Sequence, residues 1–148
     1  MNKTVLNIED AQPLEYCYKP NNFLSPVRKY PITSKFGWRH IFAKPDFHNG
    51  TDLGTPIGTP VLAPAFGTII SIWNDQLGGL SMRIKLESGP IIGMCHLSKT
   101  YGKVGQDVQQ GDILAKTGNS GNSTGAHLHL TVQENGQFQD PELYFDFI

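Results

Sequence analysis

From Ile32 onward the chain carries short apolar runs separated by Gly- and Pro-rich breaks. Residues 61–63 and 68–73 read as strands punctuated by Pro60, Pro64 and Gly67, because neither run is long enough for a helix. Residues 80–86 (LSMRIKL) alternate apolar and polar side chains, as expected of a strand with one wet face. A Ser88-Gly89-Pro90 turn leads into a further strand at 91–95, and residues 112–116 form another after Gln110-Gly111. Residues 118–125 (GNSGNSTG) contain only loop formers, and alternation returns over 127–133. A short helix is expected only near 141–145. Several short strands joined by Gly-rich turns predict an all-β fold, an antiparallel β-sandwich or open barrel with few or no helices.

Residues 1–30 have a different texture. Pro13, Pro20 and Pro26 interrupt every candidate helix, and neither period persists. The expected organisation is therefore an N-terminal extension, 1–30, that wraps the surface or stays partly loose, followed by one domain at 31–148. A length of 148 residues suits a single core.

Composition narrows the function classes. The net charge of -1 and the lack of a polybasic tract give a nucleic-acid backbone nothing to bind. No apolar run approaches bilayer-spanning length, so membrane insertion is not expected. The opening MNKTVLNIED has too short an apolar stretch for a signal-peptide core, so the chain reads as made in the cytoplasm. Cys17 and Cys95 are too few for a disulfide framework and read as separate reduced thiols, with a single bridge as the alternative.

The candidate chemistry lies in the histidines: His40, His48, His96, His127 and His129. On a strand, His127 and His129 share one face while Leu128 and Leu130 take the other, which pairs two imidazoles above an apolar layer. His48 and Asp52 have the i, i+4 spacing of helical zinc sites, but Gly50, Gly54 and Pro56 rule out a helix there. They belong instead on an extended approach to a strand. A hydrolytic zinc site takes three protein ligands and keeps a position open for water. His48, Asp52 and one member of the His127/His129 pair satisfy that count. The other member and His96, placed at a strand end, remain for acid–base work.

At these residues the chain resembles the lysostaphin-type peptidoglycan endopeptidases, the M23 metallopeptidase family. The likeness runs from about Ile32 to Tyr144. It takes in Ser34-Lys35-Phe36-Gly37-Trp38-Arg39, His48-Asn49-Gly50-Thr51-Asp52, Gly58-Thr59-Pro60-Val61, His96-Leu97-Ser98 and Ala126-His127-Leu128-His129. The resemblance implies a largely antiparallel β domain with a groove across the sheet. It implies one zinc per chain held by His48, Asp52 and His129, with His96 and His127 as the catalytic histidines. The implied activity is zinc-dependent hydrolysis of peptide cross-links or stem peptides in bacterial peptidoglycan, with a monomer favoured. Such a product would reach the wall after release or delivery, which fits a phage or prophage lysin or a tail-associated enzyme. A catalytically inactive wall-binding or hydrolase-regulating module is the alternative, although no ligand is missing.

Ala126, Leu130, Thr131 and Cys95 depart from the residues common in that family, and none of the four is a ligand. Other expectations concern the neighbourhood. The 118–125 loop would form a groove wall able to move. Trp38, Phe42, Phe47 and Trp73 would mostly pack in the core, with the groove as their alternative place. Arg39 would sit near the site or in a structural ion pair, and His40 would lie at the surface. Asn21 or Asn22 could reach the metal from the N-terminal segment, although this is not the favoured arrangement.

Overall fold

A computed structural model of the chain describes residues 22–27, 29–123 and 125–147. Cys17, Asn21 and most of the 1–30 extension lie outside the described residues.

The strands are β1 (Ile32–Ser34), β2 (Gly37–Ile41), β3 (Lys44–His48), β4 (Thr51–Leu53), β5 (Pro60–Leu62), β6 (Gly67–Asp75), β7 (Gly79–Leu86), β8 (Ile91–Thr100), β9 (Asp107–Val108), β10 (Ile113–Thr117), β11 (Leu128–Glu134) and β12 (Gln137–Gln139). One short 3-10 turn, Pro141–Leu143, stands where the helix is expected. Every pairing is antiparallel, and the main sheet runs β1-β4-β11-β8-β7-β6-β9. β12 pairs with β11, while β10 bridges β8 and β5. β2 and β3 form a separate two-stranded sheet.

The alternating runs set the inner face. Met82, Ile84 and Leu86 of β7 meet Ile92 and Met94 of β8 and Leu128, Leu130 and Val132 of β11, all fully buried in one core. Each such side chain contributes about 1.5–3 kcal/mol on burial. A one-residue slip of β11 would put His129 into that core and the leucines on the wet face, so burial fixes the register that presents His129.

Three features differ from the sequence reading. Residues 22–27 are packed: Leu24 N donates to Pro64 O, Leu62 N donates to Pro26 O, and Val27 is part of the core. The β2–β3 hairpin has no counterpart in the predicted strands. Its tip residues, Phe42 and Ala43, both have left-handed backbone (φ 51° and 64°), so the Asn/Gly signal of such a turn is absent. The four aromatic residues expected mostly in the core, Trp38, Phe42, Phe47 and Trp73, finally, are not part of it. Trp38 is 75% and Phe42 96% exposed, Phe47 is also exposed, and Trp73 is half-buried with the Arg83 guanidinium over its ring at 4.8 Å. Cys95 is a free thiol whose pKa burial pushes up, so it stays protonated near neutral pH.

Candidate metal centre

The site forms where the sheet divides. Through Cys95, β8 is laddered to β11; from Leu97 the same strand pairs with β10. His96 occupies the point of parting. Met82 pairs with Met94 and Leu80 with Leu97, so β8 carries one residue more than β7 across this stretch. That is a β-bulge, and His96 sits in it with left-handed backbone, φ 63°. A non-glycine residue held there stores strain, and a bulge re-aims a side chain. His96 is thus in the interior of β8, not at a strand end as the sequence suggested.

Asp52 and His129 are direct cross-strand partners on β4 and β11, which places their side chains together on one face. His48 ends β3 and reaches the same point after a tight Asn49-Gly50 connection. Its Nε2 lies 3.2 Å from His129 Nδ1 and 3.3 Å from Asp52 Oδ1, and His129 Nδ1 is 2.8 Å from that oxygen. The edge of a tetrahedron around zinc with bonds of about 2.0–2.1 Å is about 3.3 Å, so the three atoms outline one face of a zinc coordination shell.

The outer ring nitrogens show which inner atoms can donate to a metal. His48 Nδ1 donates to Lys35 O at 3.0 Å, and a carbonyl only accepts, so Nε2 keeps its lone pair. His129 Nε2 donates to Asn49 Oδ1 at 3.0 Å, which frees Nδ1. In that tautomer two lone pairs and a carboxylate oxygen converge without a proton between them, an arrangement that a bound cation, or protons on the inner ring nitrogens facing Asp52, would resolve. Burial pushes the Asp52 carboxyl up, but hydrogen bonds and charges from His129 and His48 outweigh it and hold the group well below the usual carboxylate range. The residues present therefore fit a divalent metal.

His96 and His127 complete the cluster. His127, expected to open the last long strand, lies just before β11, which begins one residue later at Leu128, and its Nε2 is 3.7 Å from Asp52 Oδ1. The His96 and His127 ring centroids are 4.7 Å apart. His96 Nδ1 donates to Ser120 O at 2.7 Å and His127 Nδ1 to Gly125 O at 2.8 Å, so both present an Nε2 lone pair. Burial lowers the His96 pKa; the Ser120 bond opposes this, and the neighbouring His127 and His129 add to the lowering.

The 118–125 loop is more firmly held than its composition suggests. Ser120 Oγ accepts from Leu80 N and donates to Leu97 O, and Asn122 N donates to Leu77 O. A Cβ on Gly79 would lie 2.4 Å from the Ser120 carbonyl carbon, so only glycine admits this contact. His40 is exposed, as expected. Arg39 ion-pairs with Asp46 and also bonds Ser34, a partner of His48, so it meets both of its expected roles. Asn22 bonds Gln110 through its carbonyl, in the region of Pro64.

Asn49, Ser120 and the Lys35 carbonyl were not legible as site residues. Asn49 carried a usable signal by adjoining His48, whereas the other two act through backbone carbonyls that every residue has. Gly50 is a further one. A Cβ there would meet Leu130 O at 2.3 Å, Thr131 Cγ2 at 2.9 Å and His129 Cε1 at 3.0 Å. Gly50→Ala must therefore push β4 from β11 or displace His129. The expected result is a loss of about 3 kcal/mol in chemical denaturation together with weakened metal binding. Unchanged stability and metal content would contradict this packing.

The model of peptidase family M23 matches residues 46–141. An uncharacterized metalloprotease of Haemophilus influenzae is 36% identical over 132 residues, 87% of this chain and 26% of that protein. The peptidoglycan DD-endopeptidase ShyC of Vibrio cholerae is 30% identical over 129 residues, 87% of this chain and 28% of that one. The chain thus spans less than a third of these relatives' length. Among solved structures, a zinc containing peptidase from Vibrio cholerae superposes with a TM-score of 0.77 at 33% identity, covering 86% of this chain and 41% of that one. The catalytic domain of the antimicrobial peptidase lysostaphin from Staphylococcus simulans gives 0.71 at 31%, covering 76% and 90%.

Proposed function

The chain belongs to peptidase family M23, and on that premise we propose that it is a zinc metalloendopeptidase cutting peptide cross-links of bacterial peptidoglycan. The observation that carries this reading is the convergence of His48 Nε2, Asp52 Oδ1 and His129 Nδ1 at 2.8–3.3 Å, with the outer nitrogens of both rings tied to acceptors. Similarity to a peptidoglycan DD-endopeptidase and to lysostaphin supports the substrate class.

His48, Asp52 and His129 would hold the metal. Bound there, zinc supplies Lewis-acid polarisation and brings the pKa of a water from 15.7 toward ~7. The chain's own part is proton handling and orientation. With Nδ1–H of His96 and His127 fixed on the Ser120 and Gly125 carbonyls, each ring offers Nε2 at the centre. One ring accepts the proton of the attacking water at Nε2 and passes it to the leaving amine. The other, when protonated, donates to the oxygen that gains charge on the scissile carbonyl. The pinned 120–122 segment keeps the His96 ring in place throughout.

Purified protein should contain one zinc per chain and release new amino groups from purified peptidoglycan. A chelator should stop the release and added zinc should restore it. Walls with direct cross-links and walls with glycine bridges, assayed side by side, identify the bond. Bound zinc without hydrolysis would favour a wall-binding module, and absence of zinc would sink the proposal.

A further inference from the structure

The three candidate ligands do not share one support. Asp52 and His129 lie on adjacent strands of the main sheet, whereas His48 ends the β2–β3 hairpin, which has its own two-stranded ladder. No side chain of that hairpin belongs to the hydrophobic core, so core packing does not set how far His48 stands from the other two. Something else must hold the hairpin to the sheet.

Arg39 does so. Its Nε donates at 2.8 Å to Oδ2 of Asp46, its register partner across the hairpin. Its Nη1 donates to Ser34 Oγ at 2.7 Å. Ser34 belongs to β1 and is the register partner of Asp52, so this bond ties the hairpin to the strand beside a ligand. Ser34 Oγ also stands 3.3 Å from His48 Nδ1, next to the Lys35 carbonyl that receives that nitrogen's proton. One planar guanidinium thus spans the hairpin's own cross-strand pair and the main sheet, and a fixed fork of donors does this better than a point charge on a flexible stem.

We propose that Arg39 is a positioning residue for the metal: by bonding Asp46 and Ser34 together, it locks the hairpin-borne His48 at the distance from Asp52 and His129 that sets metal affinity. This rests on the reading that these three residues hold zinc. Groups behind metal ligands change affinity about 10–100-fold when removed. Because the hairpin contributes nothing to the core, the cost should appear in affinity and not in the stability of the metal-free protein.

The test is zinc binding by competition with a chromophoric chelator, alongside thermal unfolding of the metal-free protein, for wild type, Arg39→Ala and Arg39→Lys. Arg39→Ala should bind zinc about 10–100-fold more weakly, with a metal-free Tm within about 2 °C of wild type. Arg39→Lys, which can keep one bond at a time, should fall between. Wild-type affinity in Arg39→Ala would overturn the proposal, and so would a metal-free Tm that falls along with affinity. A wild-type protein that binds no zinc would instead overturn the metal reading beneath it.

Discussion

Asp52→Ala is expected to yield a folded protein that retains no zinc and cleaves peptidoglycan at least ~10³-fold more slowly. Asp52 Oδ1 is the atom shared by three of the four clustered histidines, 2.8 Å from His129, 3.3 Å from His48 and 3.7 Å from His127. Without the carboxylate, two neutral imidazoles remain and no negative charge offsets the dication. A bound metal supplies several kcal/mol of transition-state stabilisation, and each 1.36 kcal/mol is tenfold in rate. The fold should survive, because the neighbouring core positions Leu53, Leu128 and Leu130 are untouched. Metal analysis and an amino-group release assay on the same preparation check both parts. Retained zinc or near-normal turnover would mean the ligand set is wrong.

His96→Ala and His127→Ala should behave in the opposite way, keeping wild-type zinc content while turnover falls ~10²–10⁴-fold. Neither ring is needed to close the triangle of His48, Asp52 and His129. Loss of zinc from either variant would reassign that residue to the metal. His96 adds a second readout through its backbone. At φ 63° an L side chain is strained and glycine is not, so His96→Gly should be at least as stable as His96→Ala, although turnover falls in both. A less stable glycine variant would argue that the bulge is not held in this conformation.

Strand content was largely legible because β7 and β11 alternate, and alternation over a single core has one reading. The His48–Asp52 and His127–His129 pairs were legible for the same local reason. A loop of fixed length keeps Asp52 near His48, and a strand puts alternate residues on one face. The hairpin was not legible. Its turn uses Phe42 and Ala43 where glycine or asparagine would have announced it, and its exposed aromatics resemble core residues in composition. Nor was the bulge, since nothing in the string around Cys95-His96-Leu97 marks an extra residue. It exists because β8 must pair with β7 on one side while changing partners from β11 to β10 on the other.

The one-dimensional chain therefore settled the β class, the inward faces of β7 and β11 and the identity of the chemically able side chains, all of which depend on near neighbours. Tertiary structure decided that Asp52 stands opposite His129, and that His96 turns toward them. It also decided that Lys35, Asn49, Ser120 and Gly125 supply the acceptors that orient the rings. Apart from Gly125, which stands two residues before His127, these are contacts between residues distant in sequence, several of them through backbone carbonyls, and only folding of the sheet brings such groups within hydrogen-bonding distance.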